Sequence, residues 1–368
     1  MMNHLNISEL LIRTVIGLSV VFWLGGCSTG VESSNGGGSG GSGGDDEWLV
    51  PPSKVIDGGP GRDGIPSIED PKFKTAADVT MLSDDDLVIG VKVGSQVRAY
   101  PNIIMTYHEI VNDVIGGTPV AITFCPLTGS PLAWNRDINS SVTEFGVSGL
   151  IYKNNLIPFD RNTESLWSQM LLTGIHGNFL GEELPHIQVI ETEWGTWKQA
   201  FPDSEVMVET EFDQPYDRYL YGDYRFDHND ILFPVENTDD RLQKKDRIHG
   251  LLSGGTQKAY PIANFRDGIE IINDDFAGNS IVIIGSSDLN IGATYSRTID
   301  GTLLQFSGVQ NALPVVMTDQ EGNQWNLFGE AVEGPRTGAR LESFTSYNAY
   351  WFAWVDFFPQ TFLSSFDK

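Results

Sequence analysis

The feature that most constrains this chain is an internal repeat. A shift of 161 residues aligns residues 107–145 with 268–306 without a gap, and nine positions then carry identical residues. In the first copy these are Glu109, Ile110, Asn112, Asp113, Gly117, Ile122, Arg136, Ile138 and Phe145. Ala-Tyr-Pro also precedes both copies, at 99–101 and 259–261. We therefore predict two tandem units, 87–206 and 247–368, that share a fold and pack with pseudo-two-fold symmetry.

Strand signals dominate both units. Two apolar runs flank Gly94-Ser95 and predict a hairpin, and further short runs predict strands at 119–124 and 141–147. Aromatic and aliphatic residues recur every three to four positions at 194–200 and 349–357, which predicts two short helices. The fold class expected is mainly β (α+β), with two pseudo-symmetric repeats of short strands and a few short helices.

The segments outside the two units lack a clear period. Residues 48–86 are punctuated by glycine and proline, and we expect them to wrap the body as irregular chain. Residues 207–246 are rich in tyrosine, aspartate and arginine, and we expect them to form a long, ordered surface excursion between the repeats.

The N-terminus resembles a bacterial lipoprotein signal. An apolar run at 14–24 follows Arg13, is too short to span a bilayer, and ends in Leu24-Gly25-Gly26-Cys27. We expect residues 1–26 to be a cleaved signal peptide and Cys27 to carry acyl chains such as palmitate, followed by a glycine/serine tether over 27–47. The predicted location is the cell envelope, outside the cytoplasm, with a lipid anchor in the outer membrane or on the periplasmic face of a Gram-negative cell.

Charge and cysteine content exclude some functions. A net charge of −26 argues against nucleic acid as a partner, because nucleic-acid binding needs a basic surface. Lipidation of Cys27 would leave Cys125 as the only thiol of the folded part, so an intramolecular disulfide is not expected.

Comparison of the two predicted repeats places the candidate reactive residues in the first repeat. His108, Cys125 and His176 fall opposite Ile269, Ser286 and Glu333 of the second copy. The first repeat would then carry a site and the second would be a scaffold, although drift between two structural copies gives the same pattern. Cys125 lies before a proline/glycine turn, where a thiol can be exposed and activated, or it packs as a small buried apolar residue. His108 is either its co-ligand or base, or a core histidine.

A polar cluster follows in the same repeat. Asp160 and Arg161, with Ser165, Trp167 and Gln169, form either a ligand-facing wall or a loop held by an ion pair and capping hydrogen bonds. The second copy keeps Trp325 but changes its surroundings to Gly322-Asn323-Gln324.

Several short segments of the sequence resemble the motifs of a prokaryotic exported family, catalogued as domain of unknown function three-one-seven-nine. The matching strings cover residues 108–113, 125–130, 145–150, 160–161, 165–169, 233–235, 240–242 and 351–354. The resemblance covers nearly all of the globular part and implies no established activity. The family usually has a second cysteine where this chain has Thr128, so Cys125 cannot form a local dithiol here. His108 and Cys125 match the family motif, whereas His176 does not.

The sequence also lacks the motifs of hydrolases, nucleotide-binding proteins and blue-copper domains. The leading hypothesis is a binding or accessory protein. One form of this hypothesis is that the protein holds a soft metal ion, copper or zinc, through Cys125 and His108. The alternative is an enzyme with Cys125 as nucleophile, His108 as base and Asp160 as orienting group or acid. A second alternative is a structural scaffold for an unknown protein partner.

Overall fold

The computed structural model describes residues 47–210 and 212–364. Cys27, the predicted signal peptide and nearly all of the tether lie outside these residues. Within the described ranges, no helix has both the length and the apolar character needed to cross a membrane.

Strands form most of the regular structure, as predicted. Before and within the first predicted repeat the strands are β1 (Val55–Asp57), β2 (Lys72–Thr75), β3 (Leu87–Val93), β4 (Gln96–Pro101), β5 (Ile110–Ile115), β6 (Thr118–Cys125), β7 (Ser130–Asn135), β8 (Asp137–Ile138), β9 (Ser141–Val142), β10 (Phe145–Tyr152), β11 (Asn155–Asp160), β12 (Leu166–Ser168), β13 (Thr173–His176), β14 (His186–Ile187), β15 (Val189–Glu193) and β16 (Glu205–Glu209). The second predicted repeat contributes β17 (Arg247–Ser253), β18 (Thr256–Pro261), β19 (Glu270–Phe276), β20 (Asn279–Ser286), β21 (Ile291–Ser296), β22 (Thr298–Ile299), β23 (Thr302–Leu303), β24 (Phe306–Gly308), β25 (Val315–Asp319), β26 (Gln324–Asn326), β27 (Ala331–Glu333), β28 (Ser346–Tyr350) and β29 (Phe362–Leu363).

These strands form several small sheets rather than one large one. The larger sheets have the strand orders β1-β10-β11-β12-β13, β14-β7-β6-β5, β15-β3-β4-β16-β2, β28-β17-β18-β29, β19-β20-β21 and β24-β25-β26-β27. Most neighbours pair in antiparallel fashion, and the predicted hairpin is confirmed as β3 and β4, in which Val93 faces Gln96 across a two-residue turn. Gly94 adopts a φ of 59° in that turn, a conformation that favours glycine.

Three short helices lie between the strands of the described chain: α1 (Asn102–His108), α2 (Trp194–Ala200) and α3 (Trp351–Phe357). The prediction of α2 is confirmed. The prediction of a helix from residue 349 is wrong by two residues, because Ala349 and Tyr350 still pair with β17. The sequence did not predict α1.

The strand predicted at 141–147 is interrupted. The structure has β9 and β10 there, separated by Thr143 and Glu144. The guanidinium of Arg136 donates to the carbonyl oxygen of Thr143 at 2.6 Å, which takes that carbonyl away from strand pairing.

Both large hydrophobic clusters draw residues from the two predicted repeats. One packs Trp134 and Trp167 of the first repeat with Trp351 and Trp354 of the second. The other packs residues such as Trp197 with residues of the second repeat, including Ile284, Tyr295 and Trp325. Burial of these aromatic side chains is a main source of stability, and it joins the two halves of the chain.

Some contacts occur at matching positions in both halves. Gly90 lies so close to the ring of Trp197 that a Cβ would overlap it, and Gly250 has the same relationship to Trp354. The amide of Asn112 bonds both backbone groups of Phe145, as that of Asn273 bonds Phe306. The tandem repeat, its symmetry and the domain boundaries stay predictions.

Candidate functional site

Cys125 is the last residue of β6, and a tight turn leads from it into β7, where Ser130 faces it across the hairpin. Its side chain is only 1% exposed and belongs to the large cluster that contains Trp134 and Trp167. The thiol donates a hydrogen bond to the carbonyl oxygen of Asn154, with a sulfur-to-oxygen distance of 3.6 Å. The thiol is therefore part of the packed interior.

A buried hydrogen-bond network holds the turn that follows Cys125. Thr128 and Ser130 share a hydrogen bond of 2.7 Å between their hydroxyls, and Ser130 donates to Oε1 of Gln169 at 2.9 Å. Asn155 donates to the same oxygen at 2.6 Å, while the Gln169 amide donates to the hydroxyl of Thr123 at 2.9 Å. All five side chains are buried. Gln169, predicted as part of a ligand wall, therefore ties β6, β7 and β11 together under the Cys125 turn.

Glu109 shares the surroundings of Cys125. It ends α1 with a φ of 59°, and its side chain is 5% exposed. Burial raises the pKa of its carboxyl group to about 8, and no residue in the described ranges hydrogen-bonds that carboxyl. Burial, together with negative charge on Glu109, raises the pKa of the Cys125 thiol to about 11. At neutral pH the thiol is therefore protonated.

His108 is fully buried, but its hydrogen bonds go to residues other than Cys125. Nδ1 lies 2.8 Å from the carbonyl oxygen of Pro66, which can only accept, so Nδ1 carries the proton. Nε2 then accepts from the hydroxyl of Tyr216 at 2.6 Å. The ring also packs on Phe212, with centroids 5.0 Å apart. In this arrangement His108 anchors the start of the excursion rather than the thiol.

Asp160 is buried within its own turn. Its carboxylate accepts from the backbone N–H of Thr163 at 2.8 Å and from the indole N–H of Trp167 at 3.2 Å. Ser165, also buried, hydrogen-bonds the hydroxyl of Thr163 at 2.7 Å. Asp160, Ser165 and Trp167 are thus joined through local contacts that do not include Cys125.

Arg161 points to a different part of the chain. Its guanidinium donates to both carboxylate oxygens of Asp63, at 3.0 and 2.9 Å, and to Ser67 at 3.0 Å. It therefore holds the N-terminal segment against the first repeat. His176 lies apart as well, stacked on Trp48 with ring centroids 4.3 Å apart. Of the predicted wall residues, Ser165 and Trp167 thus share one local network around Asp160, whereas Arg161 and Gln169 bond to other parts of the chain.

The excursion covers the Cys125 turn. Tyr224 donates its hydroxyl hydrogen to the carbonyl oxygen of Leu127 at 3.0 Å, and the backbone N–H of Phe233 donates to Asn154 at 3.0 Å. From the second predicted repeat, the backbone N–H of Tyr350 donates to the carbonyl oxygen of Thr128 at 2.8 Å. Residues from three distant parts of the sequence thus meet at this turn.

A small cavity of about 40 Å³ lies where these parts meet. It is lined by Leu87, Asn102, Thr106, Phe124, Pro126, Tyr219, Tyr221, Gly222, Tyr224, Arg225, Arg247 and Tyr350. Cys125 lies between Phe124 and Pro126, which both line the cavity. Burial is the main cause of the raised pKa of Tyr221 and of Tyr224, and negative charge on Cys125 raises both further. The cavity and the thiol are therefore neighbours.

Four of the lining side chains have buried polar atoms without hydrogen-bond partners in the described chain. These atoms are Oδ1 of Asn102, the hydroxyl oxygen of Tyr219 and the Nε atoms of Arg225 and Arg247. Asn102 uses its Nδ2 to bond Glu191 at 2.9 Å, and Arg247 forms an ion pair with the same carboxylate. Arg225 has no ion pair with any described residue, and its guanidinium lies 4.0 Å over the ring of Tyr219.

The residues present do not fit the copper or zinc site predicted from Cys125 and His108. Both ring nitrogens of His108 are hydrogen-bonded, to Pro66 and Tyr216, and the Cys125 thiol donates to the carbonyl oxygen of Asn154. The described residues also contain no cluster of three or more His, Cys, Asp or Glu side chains arranged to hold a metal ion.

Sequence reasoning missed Asn102, Glu109, Arg225 and Arg247. One signal was present for Asn102, because the second repeat has apolar Ile262 after the matching Tyr-Pro pair. The two arginines carry no comparable signal, since one lies in the excursion and the other at the start of the second repeat.

Comparison with known proteins gives a family without an assigned activity. A family profile described as "Protein of unknown function (DUF3179)" matches residues 62–361, which is most of the chain. No curated protein matches, and no solved structure matches. The chain therefore belongs to the DUF3179 family, as the motif strings around His108 and Cys125 predicted.

Proposed function

We propose that this protein is a lipid-anchored binding protein of the cell envelope, and that it holds a small ligand in the cavity beside the Cys125 turn. One observation carries the proposal: four side chains with a buried polar atom that lacks a partner in the described chain line a single cavity, namely Asn102, Tyr219, Arg225 and Arg247. Such a group costs about 1–3 kcal/mol when it stays unpaired. An occupant that draws these side chains into hydrogen bonds would recover part of that free energy.

The contacts of the predicted catalytic residues favour binding over thiol catalysis. A nucleophilic cysteine needs a thiolate and a nearby base. Cys125 is buried with a pKa raised to about 11, and His108 is held by Pro66 and Tyr216. The enzyme alternative and the scaffold alternative lack an observation comparable to the unpaired groups in the cavity.

Mass spectrometry of the full chain, expressed with its own signal in a bacterial envelope, tests the proposal. We expect the native mass to exceed the denatured mass by that of one small molecule. Thr106→Ile should abolish the excess, because Thr106 is buried and lines the cavity. Thr298→Ile is the matched control, because Thr298 is exposed. Equal native and denatured masses in the wild type would refute the proposal.

The anchor is tested separately. Cys27→Ser should remove acylation and move the protein from the membrane fraction to the soluble fraction, since at least two acyl chains are needed for stable attachment. Ligand retention should not change. Membrane association that survives Cys27→Ser would contradict the anchor.

A further inference from the structure

We infer that the face formed by β19 and β29 is a docking surface, at which an extended segment of another protein adds as a strand. The segment is basic, and it has an apolar residue followed five positions later by an aromatic one. The inference comes from comparing this face with the one formed by β5 and β16, which the chain covers itself. It adds a partner surface to the proposed ligand-binding function and does not depend on it.

The strands around the two faces are arranged alike. β16 pairs with β4 in parallel fashion, and β29 pairs with β18 in the same way. Arg98 of β4 forms an ion pair with Asp113 of β5, as Lys258 of β18 does with Asp274 of β19. β5 and β19 also pair with β6 and β20 in corresponding registers. The same backbone framework therefore supports both faces.

The face formed by β5 and β16 is covered by a strap, residues 68–75. Ile68 and β5 exchange two backbone hydrogen bonds, and the one donated by the N–H of Asn112 is 2.8 Å long. β2 then pairs with β16 in antiparallel fashion, and the ring centroid of Phe73 lies 4.3 Å from the guanidinium of Arg98. The strap thus places one apolar and one aromatic side chain on this face, five positions apart.

The described residues provide no such strap over β19 and β29. The carbonyl of Ile271 and the N–H of Asn273 take the outward positions that correspond to the two groups bonded by Ile68. Neither group has a hydrogen-bond partner within 47–210 or 212–364. Unpaired backbone groups along a strand edge are the groups with which a further strand pairs.

Side-chain exposure differs between the two faces in the same sense. Ile271 and Ile272 are partly exposed, whereas the corresponding Ile110 and Val111 of β5 are fully buried. The side chain of Phe362 in β29 is 63% exposed. An open groove runs between β19 and β29. A strand added there would bury these apolar side chains and pair the open backbone groups.

The strap indicates the chemistry of the segment that docks. It carries Lys72 and Lys74 on either side of Phe73, and a net charge of −26 makes the chain attract basic segments rather than acidic ones. Residues 28–46 contain neither an aromatic nor a basic residue, so the tether does not fit. The strap itself is already bonded to β5 and β16. The segment therefore comes from another protein.

Fluorescence anisotropy of the full chain with a labelled peptide of residues 66–76 tests the inference, because this peptide contains the strap. We expect saturable binding of one peptide, at least about tenfold weaker when the peptide carries Phe73→Ala. Phe362→Asp in the protein should weaken binding by a similar factor. Leu303→Asp is the matched control and should bind as the wild type does, since Leu303 on β23 is likewise exposed, at 53%.

Hydrogen exchange identifies which face the peptide occupies. The peptide should slow exchange of the Asn273 N–H at least about tenfold, and it should not affect the Asn112 N–H, which already bonds Ile68. Slower exchange at Asn273 that is lost in Phe362→Asp supports the inference. No peptide binding by the wild type, or a change at Asn112 alone, overturns it.

Two further outcomes would overturn the inference by identifying another occupant. Peptide binding that appears only after deletion of residues 365–368 would show that these residues take the place in the groove. A wild-type dimer that dissociates in Phe362→Asp would show that a second copy of the chain covers the face.

Discussion

The thiol of Cys125 donates to the carbonyl oxygen of Asn154 at a distance of 3.6 Å, inside the core that joins the two halves of the chain. Asn154 in turn accepts a hydrogen bond from the backbone N–H of Phe233, at 3.0 Å, so the excursion closes over this contact. The most distinctive reactive residue of the sequence is therefore enclosed, and side chains with unpaired polar atoms line the cavity beside it.

Cys125 should be unreactive in the folded protein. With a pKa of about 11, only about one thiol in a thousand is ionised at pH 8. About a tenth of the thiol is ionised in the unfolded chain at that pH, so Ellman's reagent at pH 8 should label native protein at least about 100-fold more slowly than protein unfolded in guanidinium chloride. Comparable rates in the two states would show an accessible thiolate and would favour the enzyme alternative.

Glu109 should make stability depend on pH. Burial raises the pKa of its carboxyl from 4.5 to about 8, so the folded state binds the proton more tightly. The contribution of protonated Glu109 to the free energy of unfolding is fully present below pH 4.5, and it is lost as the pH rises towards 8. Glu109→Gln should therefore be more stable than the wild type at pH 9, by up to about 3–5 kcal/mol, and the difference should shrink at pH 5.

Guanidinium unfolding at pH 5, 7 and 9 measures this difference. Glu270→Gln, at the matching position of the second repeat, is the control and should not reproduce the effect. A constant difference between wild type and Glu109→Gln at all three pH values would contradict a buried, protonated Glu109.

Gln169 should matter for stability through the network under the turn. Gln169→Leu keeps a similar volume but leaves the hydroxyls and amide of Thr123, Ser130 and Asn155 short of partners. We expect a loss of about 2–4 kcal/mol in the free energy of unfolding. Gln257→Leu should change it by less than about 0.5 kcal/mol, because the Gln257 side chain donates to the carbonyl oxygen of Gly255 in an exposed turn. Similar effects for both variants would show that the network contributes little.

Asp160 should act as a structural residue rather than as an acid in catalysis. Its bond to the Trp167 indole is matched by Asp319, which accepts from the Trp325 indole at 2.9 Å. Asp160→Ala and Asp319→Ala should each cost about 2–3 kcal/mol in urea unfolding, with ligand retention unchanged when measured well below the transition. Loss of the ligand in Asp160→Ala without loss of stability would restore the functional interpretation.

Local patterns in the sequence predicted the fold class and several elements. The hairpin of β3 and β4 and the helix α2 follow from turn chemistry and apolar spacing. Helix α1 gave no such signal, because all seven of its residues are buried and it lacks an exposed polar face. Short helices enclosed by the core cannot be recognised from amphipathic spacing.

The candidate site was predictable only in part, for a physical reason. The motif strings located the Cys125 turn, but the partners of each side chain come from distant segments. His108 meets Pro66 and Tyr216, and the cavity combines Arg225 of the excursion with Arg247 of the second repeat. Spacing within one repeat contains no information about such contacts.

An electron-density map of the purified wild-type protein at about 1.5 Å resolution tests the central claim most directly. In the cavity we predict density for a bound small molecule that lies against the side chains of Asn102, Arg225 and Arg247. Isolated water peaks, or an empty cavity, in crystals of protein purified from the envelope would contradict the account.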